Sequence, residues 1–197
     1  MKLRFTVLLV FLAACTASNS PVATEGIPLD PAVPHAKGED ALRTLLSRRH
    51  YKPTKSDIEH VSDNSEADLR RLAQSDRGSQ MVQLRAIWSL SLYPSEAAIE
   101  ALLLLLASER AVIRRNSLAA LGRIEDDTLL TSDTVATALV PTIGDSDVQV
   151  RLAAVKLLIR IPSGPAVLSQ ALKDETDVTV RRRIEKFLAA QSGEVLR

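Results

Sequence analysis

Four arginines, Arg85, Arg114, Arg151 and Arg181, recur at intervals of 29, 37 and 30 residues. A guanidinium is a planar fork of donors, suited to carboxylates, carbonyls or an anionic ligand. Other reactive residue types are sparse. The one cysteine is Cys15, so neither an internal disulfide nor a cysteine-based zinc site can form. His35, His50 and His60 all precede the arginine series and show no His-Glu-x-x-His spacing. The run Glu125-Asp126-Asp127 is acidic but lacks the spaced oxygen ligands of a calcium loop, so a solvated turn is expected. No Gly-rich phosphate loop or nucleophile elbow is present. These features predict no catalytic residue, no metal and no cofactor.

The arginines must be positioned by something regular, and the flanking residues say what. Aligning 82–92, 111–121, 148–158 and 178–188 on their arginines brings further positions into register. One residue before stand Leu84, Ile113, Val150 and Val180, and three after stand Trp88, Ser117, Ala154 and Ile184. Seven after stand Leu92, Leu121, Leu158 and Leu188. Positions −1, +3 and +7 share one helical face. Asp147 and Asp177 lie four residues before their arginines, where an N-cap would sit.

A first amphipathic helix precedes each segment, over 65–74, 95–107, 132–143 and 164–173, with an insertion near 125–132. Pro94-Ser95 and Gly164-Pro165 mark two of these starts. Ser65 to Asp68 reads as a capping box, and the 102–106 leucine run reads as apolar all round. Upstream, 40–49 and 56–61 are predicted helices separated by a break at Pro53. Aromatics are only 3% of a chain that is 46% hydrophobic, which favours a leucine, isoleucine, valine and alanine core between helices over a β-sandwich.

The strings 145–158 (DSDVQVRLAAVKLL) and 174–188 (DETDVTVRRRIEKFL) resemble HEAT repeats, particularly the short PBS-lyase type. The resemblance covers about 65–190, and it departs at 111–121, where Arg110 replaces the aspartate, and at 82–92, where Met81 does. It implies an all-α fold: an α-solenoid of about four helix pairs over 65–192, with an N-terminal helical cap over 39–64. It also implies that aspartate and arginine form a ladder between repeats, which would make Arg85, Arg114, Asp147, Arg151, Asp177 and Arg181 structural.

The expected interaction face lies opposite the apolar stripe, at positions +1, +5 and +9. It carries Arg115, Arg123, Lys156, Arg160, Arg182 and Lys186. Such a face is either simply solvated or receives an acidic segment of a partner.

The first residues carry a different signal. Lys2 and Arg4 precede an apolar run over 5–14. Ten residues in a helix span about 15 Å, half the ~30 Å of a bilayer core, so 1–14 reads as a signal peptide. Its end, Leu12-Ala13-Ala14-Cys15, resembles the lipobox of bacterial lipoproteins. That resemblance implies cleavage before Cys15 and acylation there, with two or more chains making a stable anchor. Thr16 follows in place of the aspartate that tends to hold such proteins at the inner membrane, which implies the outer membrane facing the periplasm. Segment 15–38, with four prolines, is an expected tether of roughly 25–30 Å.

Removing Lys2 and Arg4 turns the formal charge from +1 to −1, a balance that gives no reason to expect nucleic acid. The expected function is therefore a membrane-anchored interaction scaffold binding another cell-envelope protein, not an enzyme. The alternatives are small-molecule or glycan binding in the groove of the repeats, or a lyase-like activity.

Overall fold

A computed structural model describes residues 37–76, 78–131 and 133–192. The expected leader, Cys15, His35 and nearly all of the tether lie outside these residues. Among the described residues there are ten α-helices, two 3₁₀ turns and no strand. None of these helices is long and apolar enough to cross a membrane.

The helices are α1 (Glu39–Ser47), α2 (Lys55–Val61), α3 (Ser65–Gln74), α4 (Gln80–Leu90) and α5 (Glu96–Leu104). They continue with α6 (Ala111–Leu121), α7 (Asp133–Ile143), α8 (Val148–Leu158), α9 (Gly164–Ala171) and α10 (Val178–Ser192). Leu105–Ala107 extends α5 as a 3₁₀ turn, and Asp127–Leu130 is a 3₁₀ turn within the insertion.

Side-chain caps fix many of the starts, because they satisfy N–H groups that have no partner inside the helix. Ser79 accepts from Met81 N, Ser95 from Ala98 N, and Asp147 from Gln149 and Val150 N. Asp177 accepts from Thr179 and Val180 N. Ser65 does not open a capping box: α3 begins at Ser65 itself, and its hydroxyl donates to Ser62 O at 2.8 Å. The capping box sits at α2 instead, where Thr54 and Asp57 exchange side chain and backbone bonds.

α3 packs on α4, α5 on α6, α7 on α8 and α9 on α10. The second members, α4, α6, α8 and α10, pack one on the next in succession. α1 and α2 close the beginning, with α1 against α3 and α4. Gly38 N donates to Val61 O at 2.9 Å, which ties the start of α1 to the end of α2. The arrangement is all-α and consistent with a helical-repeat protein in general.

Burial follows the aligned stripe. Ile113, Leu121, Val150, Ala154 and Leu158 are fully buried in the two middle second helices. At the outer second helices, Leu84, Trp88, Leu92 and Leu188 are only partly covered. Val178, three before Arg181, is 65% exposed, although its counterpart Val82 is buried. The leucine run of α5 is not enclosed all round, since Leu104 is 62% exposed. One close approach stands out at α9. A Cβ on Gly164 would lie 1.8 Å from the Leu158 carbonyl oxygen, so the backbone of α9 starts directly on the end of α8.

Candidate protein-interaction surface

The four repeated arginines sit at helix junctions. Arg114 Nη1 donates to Ser108 O and Glu109 O, the carbonyls of the turn just before α6. Its other edge donates to both oxygens of Asp145, at 2.6 and 2.8 Å. Arg151 repeats the pattern, with Nη1 to Asp145 O and the other edge to Glu175 at 2.8 and 3.1 Å. Each guanidinium therefore joins its own turn to the turn of the next second helix. These pairs are largely out of water: the side chains of Arg114 and Asp145 are 14% and 9% exposed, and those of Arg151 and Glu175 are 13% and 5%.

The ladder carboxylates are thus Asp145 and Glu175, two residues ahead of the expected Asp147 and Asp177. Those two aspartates cap α8 and α10 instead. The signal was present as a repeated acid-x-Asp, six residues before Arg151 and Arg181. At the equivalent place before Arg114 and Arg85 stand Ser108 and Ser79.

The Arg114 hydrogen bonds hold the Asp145 carboxyl below the ordinary range, against the opposing effect of burial. Burial pushes Glu175 upward, but Arg151 and the backbone amides of Thr176 and Asp177 outweigh it and leave the carboxyl lowered.

The two ends of the series differ from the middle. Arg85 Nη1 donates to Leu46 O and Arg48 O at the end of α1. Arg181 donates to Leu172 O and Glu175 O, and its ion pair is with Glu185 one turn on in the same helix. Glu185 occupies the position held in α6 and α8 by the buried Leu118 and Val155.

The six cations expected on the opposite face divide into two groups. Arg160 is engaged: it donates to Gly122 O and Ile124 O and pairs with Asp127, which holds the insertion against α8. Arg123 lies over the Trp88 ring, 4.7 Å from its centre. Arg115, Lys156, Arg182 and Lys186 are exposed. Of these, Arg115 and Lys156 come together, lining a groove of about 420 Å³ between α6 and α8.

The remaining sequence candidates find plain roles. His50 and His60 are exposed. Asp126 accepts from Thr128 N at 3.0 Å to start its 3₁₀ turn. Among the described residues, no group of three or more histidine, cysteine or acidic side chains is placed to hold a metal ion. A second cleft of about 820 Å³ lies between α7 and α9, with Val140, Ile143 and Val167 on its walls. Its charged lining is Arg151, Asp145 and Glu175, already committed to the ladder, together with the exposed Asp174.

No protein-family model matches this chain, and comparison with curated proteins returns no match.

Proposed function

We propose that this chain is a lipid-anchored adaptor of the bacterial cell envelope. In this reading, Cys15 is acylated and a short tether holds a HEAT-like α-solenoid of about four helix pairs off the outer membrane, within the periplasm. The domain binds another protein and performs no chemistry.

The observation that carries the reading is the row α4, α6, α8 and α10. Each helix packs on the next, and arginine–carboxylate pairs close the α6–α8 and α8–α10 junctions from within. What remains outward is a face with exposed Arg115, Lys156, Arg182 and Lys186. A row of stacked helices has little freedom to deform, so a partner meets a preformed surface. Anchoring raises the local concentration of that surface near other membrane-bound proteins.

The test has two parts. Metabolic labelling with a fatty-acid analogue should mark the full chain and not its Cys15→Ser variant, which should also leave the membrane fraction. A photo-crosslinking side chain at Lys186, exposed and outside the α6–α8 groove, should give one discrete protein adduct in intact envelopes. Labelling that survives Cys15→Ser would remove the anchor. Binding to purified peptidoglycan with no protein adduct would replace the adaptor with the glycan alternative.

A further inference from the structure

We infer that the groove between α6 and α8 takes an acidic, extended segment of the partner protein. This rests on the adaptor reading and narrows it to one place and one chemistry.

Arg115 rises on the α6 wall and Lys156 on the α8 wall. Both are exposed, and neither makes an ion pair among the described residues. No carboxylate lines the groove between them. Arg114 and Arg151, on the same two helices, are fully used by the ladder, so the contrast is local. Two exposed cations lining one groove without an anion favour the entry of one.

The shape decides what kind of anion. Ala119, Gly122 and Ala153 line the groove, and such small residues let a main chain approach the helices closely. At about 420 Å³ the groove falls within the ~300–1,000 Å³ of ligand clefts. A flat anionic bilayer cannot enter a furrow between two helices, whereas an extended peptide can. Successive side chains of an extended chain point to opposite sides. Two neighbouring acids would therefore reach opposite walls, one toward Arg115 and the other toward Lys156. Gln149, exposed at the rim, adds a side-chain amide for the peptide backbone.

The experiment uses the purified full chain and a fluorophore-labelled peptide in which pairs of glutamates alternate with pairs of glycines. Fluorescence anisotropy should show saturable binding that weakens with salt. Arg115→Glu combined with Lys156→Glu should lower affinity by about tenfold or more. Ala153→Trp should lower it comparably, because it fills the groove without changing charge. Arg182→Glu with Lys186→Glu should change it by less than about twofold. Each variant is checked by helicity and melting, and a variant that unfolds is replaced by Arg115→Gln with Lys156→Gln.

Equal losses from both charge-reversed pairs would mean a diffuse positive face and overturn the inference. So would equal binding of a lysine–glycine peptide, or binding of anionic phospholipid vesicles with none of the glutamate peptide. If the Lys186 adduct persists unchanged in the groove variants and the peptide does not bind, the adaptor stands and the groove assignment falls. If neither adduct nor peptide binding appears, both fall.

Discussion

Where α6 meets α8, and again where α8 meets α10, an arginine grips a carboxylate that is nearly out of water. Where α4 meets α1, Arg85 grips only backbone carbonyls. The α4–α6 junction has no carboxylate at the ladder position either. There Gln83 bridges neutrally, donating to Ala73 O and accepting from Arg110. The same residue type therefore does different physical work along one row. A carbonyl left without its arginine can turn to water at a partly exposed edge. A buried carboxylate left without its arginine has no such recourse and must be desolvated or protonated.

The sharpest way to break this comparison is to remove one arginine from each kind of junction. Arg151→Met leaves Glu175 with only its backbone amide donors and should destabilise the fold by about 3 kcal/mol, the low end of the usual cost of removing one partner of a buried charge pair. Arg85→Met should cost about 1–2 kcal/mol, since it deletes hydrogen bonds to carbonyls. Urea unfolding of each variant measures both. Adding Glu175→Leu to Arg151→Met should recover most of the loss. Equal costs at the two junctions would mean that burial of the ion pairs contributes nothing beyond the hydrogen bonds.

Next in size is a test of backbone closeness at the carboxylate-bearing end of the row. Gly164→Ala places a methyl group against the Leu158 carbonyl. It should cost about 2–3 kcal/mol as α9 is pushed off α8, read as a lower melting temperature. Gly122→Ala, whose added Cβ would lie 3.4 Å from the nearest atom, should be nearly neutral by comparison.

Acid gives the third effect. Asp145 and Glu175 have carboxyls lowered in the folded state, so their stabilisation is present above the ordinary carboxylate range of roughly 4 and fades as pH falls through and below it. The urea midpoint should therefore drop on acidification, and drop less in the Arg151→Met, Glu175→Leu double variant. An unchanged drop would move the cause to the lowered carboxyls that remain, Asp145 on Arg114 and, in the first two helices, Glu39 and Asp57. The last two are held by hydrogen bonds from Arg71 and Thr54 respectively.

The sequence was most legible where one periodicity governed it. The ten helices of the described residues lie at or within a few residues of where the sequence put them, because a buried stripe must recur with the helical turn. Asp147 and Asp177 were readable as caps for the same reason: a cap is defined by its distance from the helix start. The ladder partners were not, because Asp145 and Glu175 reach across a junction that no local spacing describes. Arg123 and Arg160, expected on the outward face, make contacts of their own for a related reason. Both lie beyond the last residues of α6 and α8, so the face predicted at +9 no longer exists there. Past the helix end Arg123 meets the Trp88 ring, and Arg160 meets the carbonyls of Gly122 and Ile124 and the carboxylate of Asp127. The Ser65 box failed by a single residue, since a serine at the first helical position cannot cap the helix it belongs to. The lipid anchor at Cys15 rests on its motif alone, outside the described residues.

The smallest effect sharpens the comparison within the stripe itself. Three residues after the ladder arginine, α8 carries Ala154 and α6 carries Ser117, both fully buried. The Ser117 hydroxyl finds no hydrogen-bond partner, so α6 carries a desolvation cost that α8 does not. Ser117→Ala should therefore stabilise the chain by about 1 kcal/mol, and a shifted urea midpoint with an unchanged slope would register it. The reverse exchange, Ala154→Ser, should destabilise by a similar amount. If Ser117→Ala instead destabilises, the hydroxyl is satisfied in solution. The two helices would then differ in what they bond to, and not in how dry their shared face is.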